Sequence, residues 1–165
     1  MKVIVDYSDI YPNSKLAIIP DSAITRAKDP FFIPDEGDWN GLVLRGVCID
    51  RLGKAIDPKF VNRYYSQCLT ASHPCAGDRP SDLLCDWVRD GAIVVSNCDE
   101  ASEIDPVFRQ KLNNLICHVS NVATLKTGDL FFIADKSQPI KLKNQSADYF
   151  IDSSFGFPPL KLKIR

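Results

Sequence analysis

Two stretches of this chain open a helix in the same way, and almost everything else reads as strand or turn. In "IDPKFVNRYYSQCL" and again in "IDPVFRQKLNNLICHVSNV", an aspartate stands ready to cap. A proline takes the first helical position, where its missing N–H is not needed. Phe60, Val61, Tyr64, Tyr65, Cys68 and Leu69 then recur at helical spacing after Asp57-Pro58. Phe108, Leu112, Leu115, Ile116 and Val119 form the same stripe after Asp105-Pro106. "MKVIV", "AIVVS", "LFFIA", "PIKLK" and "DYFIDSS" read as strands. In "LKLKIR", Lys161 and Lys163 alternate with Leu160, Leu162 and Ile164, so a half-buried final strand is expected. "GLVLRGVCIDRLGKAI" predicts two strands meeting at the "RLGK" turn, and the Pro- and Asp-rich run from Tyr11 to Asp38 predicts irregular β structure. Between the helices, "ASHPCAGDRPSDLLCDWVRDG" reads as a long loop. The expected fold is mainly β (mixed α+β), with two helices.

At 165 residues, with 45% apolar and 25% charged, the chain can bury a core of its own, and residues 1–165 are expected to form one domain. A formal net charge of −1 gives no basis for binding nucleic acid or an anionic membrane. No secretory leader is visible in "MKVIVDYSDI", and no apolar run reaches the roughly 20 residues that span a bilayer. A cytoplasmic protein is therefore expected, with its six cysteines as reduced thiols.

The order of these pieces resembles the fumarylacetoacetate hydrolase family, in its C-terminal catalytic domain. "IIPDSAITRAKDPFFIPD" is similar to the family's "KPDSAL" entry segment, and "GLVLRGVCIDRLGKAI" to its "ELVLRI…GK.I" strands. "DPKFVNRYYSQCLTAS" resembles the helix entering its Asp-bearing strand, and "RDGAIVVSNCDEASEIDP" its "FDG.AP.G….DE..DP" segment. "LICHVSNVATLKTGDLFFIA" resembles "LI..IS…TL..GDLI.TGTP", the best of the matches, and "PIKLKNQSADYFI" resembles the closing "GPVKIGD" strands. The resemblance implies a β-roll or barrel around a central pocket, and a homodimer. It also implies a hydrolase or decarboxylase of β-diketo or 2-oxo acids using Mg²⁺ or Mn²⁺ held by two glutamates and an aspartate. A hard cation of that kind prefers carboxylate oxygens, polarises the substrate's oxygens and stabilises the enolate leaving group.

Transferred position by position, that site is missing. The glutamate pair falls on Leu42 and Leu44 without gaps, or on Trp39 and Gly41 when "LVLR" sets the register. The aspartate falls on His73 when "RYY" anchors the strand, or on Cys68 in another register. The family's lysine becomes Trp87, with Arg89 the nearest cation, and its "TGTP" turn becomes "IADK". Met1 to Lys15 contains no His or Glu to supply the water-activating dyad. The resemblance thus implies a degenerate member without metal chemistry, a pseudoenzyme acting as a binding or assembly module. It would pair with itself or with an active paralogue, and apolar bulk at Trp39 and Trp87 would fill the old pocket.

The alternative is a remodelled enzyme, still a hydrolase or decarboxylase of a small oxo acid, with Mg²⁺ or Mn²⁺ if an active site survives. Its candidate residues are His73, Asp78, Arg89 and Asp90. Zinc is not expected. His73, Cys75 and Cys85, flanked by Cys68 and Cys98, follow H-x-C-x9-C rather than paired C-x2-C spacing. Pro74 argues for a loop there, which separates His73 from Cys75 as a catalytic pair. Asp78, Arg79, Asp82, Asp86, Arg89 and Asp90 read as a solvated charged loop, with Asp90-Gly91 as a turn. Lys126 and Asp129 belong to a turn in which Gly128 takes a positive φ, and His118 reads as a helix residue rather than a ligand.

Overall fold

The computed structural model describes residues 1–11, 16–33, 37–77, 89–143 and 146–165. Asp78, Arg79, Asp82, Cys85, Asp86 and Trp87 therefore lie outside the described residues. The strands are β1 (Val3–Asp6), β2 (Ala17–Ile19), β3 (Ile24–Arg26), β4 (Trp39–Ile49), β5 (Tyr65–Ala76), β6 (Ile93–Val95), β7 (Asp99–Glu100), β8 (Leu130–Ala134), β9 (Ile140–Leu142), β10 (Ala147–Ile151) and β11 (Leu160–Ile164). The helix α1 covers Pro106–Val122. Among the described residues, one sheet runs in the order β2-β1-β8-β4-β5-β6-β3, with β7 on β5 and β9 on β4, while β10 and β11 form a separate hairpin. The large sheet curls into a half-barrel, so the architecture is mainly β, as the sequence implied.

Alternation along β4 assigns its two faces. Leu42 and Leu44 enter the inner cluster with Val3, Val5, Leu69, Ala71, Phe132 and Ala134. Val47 and Ile49 point the other way, into the cluster beneath α1. Trp39 and Val43 share that outer side but pack beneath the β10–β11 hairpin. A strand covered on both faces keeps no apolar–polar alternation, which is why "GLVLRGVCI" reads as one apolar run. It is a single strand of 11 residues. Its neighbours are β5, β8 and β9, and "KAI" is not a strand, so the expected turn-linked pair at "RLGK" does not form.

α1 begins as expected. Asp105 Oδ1 accepts hydrogen bonds from the backbone N–H groups of Val107 (2.9 Å) and Phe108 (3.2 Å). Leu112, Leu115, Ile116 and Val119 form its buried stripe. The first predicted helix is cut short. Asp57 caps as expected, accepting from Lys59 N, but only a 3-10 helix follows, over Pro58–Arg63. From Tyr65 onward the chain is β5 and pairs with β4. The helical spacing had another source, since Tyr65 and Cys68 fill the outer cluster while Leu69 fills the inner one. Tertiary pairing overrides the local signal.

Asp129 is fully buried in the turn that opens β8. Its carboxylate accepts from Lys2 N (2.7 Å) and Lys126 N (2.8 Å) and pairs with Lys2 Nζ at 2.7 Å, while Gly128 supplies the positive φ (91°) before it. Burial alone would push this carboxyl up, but the Lys2 ammonium and the two N–H groups hold it below the usual carboxylate range. A carboxyl depressed on folding contributes stability that is present at neutral pH and lost as pH falls through the carboxylate range. Asp129→Asn is expected to cost about 1–3 kcal/mol at pH 7. Denaturant unfolding from neutral to acid pH should show the variant losing less stability on acidification than the parent. Equal slopes would refute this assignment.

Candidate functional site

The half-barrel interior is where the resemblance places the chemistry. In the β4–β5 register, Leu42 lies directly opposite His73, and Leu44 opposite Ala71. Side chains directly opposite on an antiparallel pair share a face. Leu42, Leu44 and His73 are therefore neighbours on the inner face. The other register does not converge. Trp39 and Gly41 lie on the opposite face, and Cys68 pairs with Val47, six residues along from Gly41. Six residues of strand are roughly 20 Å.

What these three positions offer is almost wholly apolar. Leu42 and Leu44 are buried among Val5, Leu69, Ala71 and Phe132. His73 is fully buried, with Nδ1 2.5 Å from the hydroxyl of Tyr7, itself 1% exposed just beyond β1. Burial, with smaller contributions from Cys75 and Tyr11, pushes the Tyr7 phenol well above its ordinary value. The hydroxyl thus keeps its proton at neutral pH and can donate to Nδ1. An imidazole engaged in this way, beside two leucines, does not suit a hard divalent cation, which needs several oxygen ligands to replace its water. Among the described residues no group of three or more His, Cys, Asp or Glu side chains is placed to hold a metal ion.

The remaining candidates are dispersed. His73 and Cys75 share the inner face because "ASHPCA" is strand rather than loop. Pro74 is tolerated because the β6 pairing stops at Ser72, leaving β4 as the strand neighbour of β5 there among the described residues. The Cys75 thiol is directed at the Asn40 carbonyl (3.6 Å). Cys68 faces the outer cluster, where burial raises its thiol to about 11, and Cys98 is exposed. Arg89 lies on the outer side, its guanidinium 4.5 Å from the Trp39 ring centroid and 5.0 Å from that of Phe31, and it donates to the Pro74 carbonyl. Trp39 accordingly packs with Phe31 and not over Leu42, Leu44 and His73, which corrects the expectation that it fills their pocket. Asp90 is exposed in the turn before Gly91, and His118 is exposed on α1.

A polar constellation that the sequence reading missed lies on the outer side of β4. Arg45 is 3% exposed. Its Nη1 donates to Thr70 Oγ1 (2.7 Å) and its Nη2 to Ser154 Oγ (2.6 Å), while Nε stands 3.5 Å from Asp135 Oδ2. Asp135 also accepts from Ser137 N, and Thr70 donates to the Pro158 carbonyl. Burial lowers the Arg45 guanidinium pKa, and Asp135 opposes that shift. The network joins β4, β5 and the end of β8 to the turn before β11, and its role is structural. The signal was an arginine inside an apolar run, which must find a countercharge if buried. The partner was the aspartate of "IADK".

No family model matches this chain, and no curated protein matches it. Solved structures do. A maleylpyruvate hydrolase from Sphingobium sp. SYK-6 superposes with a TM-score of 0.79 at 13% identity, over 99% of this chain and 69% of that one. A fumarylpyruvate hydrolase from Pseudomonas aeruginosa, in complex with Mn²⁺ and pyruvate, gives 0.73 at 13% identity, over 99% and 89%. A protein from Yersinia pestis CO92 assigned to the fumarylacetoacetate hydrolase family gives 0.76 at 18% identity, over 99% and 92%. The fold is that of fumarylacetoacetate hydrolase-like proteins.

Proposed function

We propose that this chain is a non-catalytic relative of the fumarylacetoacetate hydrolase-like enzymes, retained as a binding or assembly module. One observation carries the reading. The positions that the resemblance assigns to metal ligands come together on the inner face as Leu42, Leu44 and His73, and the only polar member is bonded to Tyr7. Those three side chains bring no carboxylate to hold Mg²⁺ or Mn²⁺, polarise an oxo acid or stabilise an enolate. Arg89 and Asp90, the described partners of His73 in a remodelled site, stand on the outer side and in an exposed turn, which supports the same reading. The scaffold would then serve through its surfaces, as a homodimer or beside an active paralogue in the cytoplasm. No helix among the described residues is long and apolar enough to cross a membrane.

The test is a thermal-shift titration of chelator-treated protein with Mg²⁺ and Mn²⁺. An ion that binds only the folded state adds about 2.7 kcal/mol at a hundredfold excess over its dissociation constant. The expected result is no shift with either ion. A saturable Mn²⁺ shift that disappears in His73→Ala would overturn the proposal and direct attention to small oxo acids.

A further inference from the structure

A second concavity lies on the opposite face of the sheet from Leu42, Leu44 and His73. The parallel β1–β8 register sets Asp6 beside Ile133, whose side chain joins the cluster under α1. Across from them, Lys111, Asn114, Leu115 and His118 occupy positions i, i+3, i+4 and i+7 of α1, which is one stripe of the helix. Between strand and helix the structure holds a cleft of 710 Å³. That is within the size of small-molecule sites, roughly 300–1,000 Å³. Leu115, Ile133 and Leu16 make its apolar lining, and Asp6, Asp9 and Lys111 its charges.

The charges decide the ligand class. The Lys111 ammonium is paired with the Asp9 carboxylate. Asp6 accepts a hydrogen bond from Ser8 N at 2.8 Å, but no ammonium or guanidinium among the described residues forms an ion pair with it. Among the described residues that line the cleft, two carboxylates against one ammonium leave one negative charge beside the apolar lining. From this geometry we infer that the cleft binds a small organic cation: a primary ammonium directed at Asp6 and Asp9, on an apolar stem lying along Leu115 and Ile133. The pairing is direct, because an ammonium supplies three donors and the free carboxylate oxygens accept them. This site is independent of the inner face and stands whether or not that face is catalytic.

The experiment is an amide-resolved NMR titration of the full chain with 2-phenylethylammonium, repeated with 3-phenylpropionate, which has a similar body and the opposite charge. Saturable shifts are expected at Asp6, Ser8, Asp9 and the 111–118 turns of α1. Asp6→Asn and the change of probe to the carboxylate should each weaken binding about tenfold, the scale of one partly exposed charge pair. Asn114→Trp, at an exposed helix position, should fill the cleft and abolish the shifts while the rest of the spectrum is retained. Equal binding of the carboxylate, an unaffected Asp6→Asn, shifts located elsewhere, or no saturation at millimolar amine would each overturn the assignment.

Discussion

Arg45→Ala is expected to destabilise the protein by about 3–5 kcal/mol, the usual cost of removing one partner from a buried ion pair. The loss has three sources. Asp135, 6% exposed, keeps a charge with no guanidinium beside it. Thr70 and Ser154 each lose a charged donor, and a cavity opens beneath Phe157, over whose ring the guanidinium sits at 6.0 Å. Arg45→Met together with Asp135→Leu removes both charges and refills the space. Denaturant unfolding of the double variant should recover more than half of the loss. If Arg45→Ala alone costs less than about 1 kcal/mol, the range of an exposed pair, the network is not what joins the 152–158 turn to the sheet.

Gly46→Ala is expected to be the more damaging change for the fewest atoms. At the centre of β4, Gly46 pairs with Leu69 on one side and Phe132 on the other. A Cβ there would stand 2.3 Å from the Phe131 carbonyl oxygen and 2.3 Å from the Phe132 ring. Neither neighbour can yield cheaply, since the carbonyl belongs to the β4–β8 ladder and the ring to the inner core. A loss above about 4 kcal/mol, or failure to recover soluble folded protein, is expected. Gly128→Ala is the control. It forces a left-handed residue but meets nothing within 4 Å, so it should cost only about 1–2 kcal/mol. Comparable losses for the two would show that the close approach at Gly46 is relieved by a shift of β8.

These two residues also mark how far the sequence could be read. Strand and turn signals at "MKVIV", "TLKTGD" and "LKLKI", and the Asp105-Pro106 start of α1, were legible because local chemistry and final structure agree there. β5 was misread in part because Cys68 and Leu69 are buried on opposite faces, and a strand buried on both faces can imitate a helix stripe. For the candidate site, the absence of carboxylates was visible, but the register was not. A shift of one residue along β4 exchanges its two faces, and only the pairing of Leu42 with His73 selects one of them. Tyr7 could not have been chosen at all. It is 66 residues from His73 in the chain, and the topology alone brings them together.

The position of β1 has a consequence for how this protein is made. β1 lies inside the sheet, with β8 as its parallel neighbour, and Val3 meets Leu130 across 127 residues of chain. Lys2 is fastened to Asp129 over the same separation. During synthesis, β1 cannot take its place until β8, 127 residues further along the chain, has left the ribosome. Until then the inner face stays open and its apolar residues are exposed to other chains. Contacts this distant in sequence make folding slow and the nascent chain prone to aggregation. The dependence of its soluble yield on chaperones should therefore exceed what its modest size would imply.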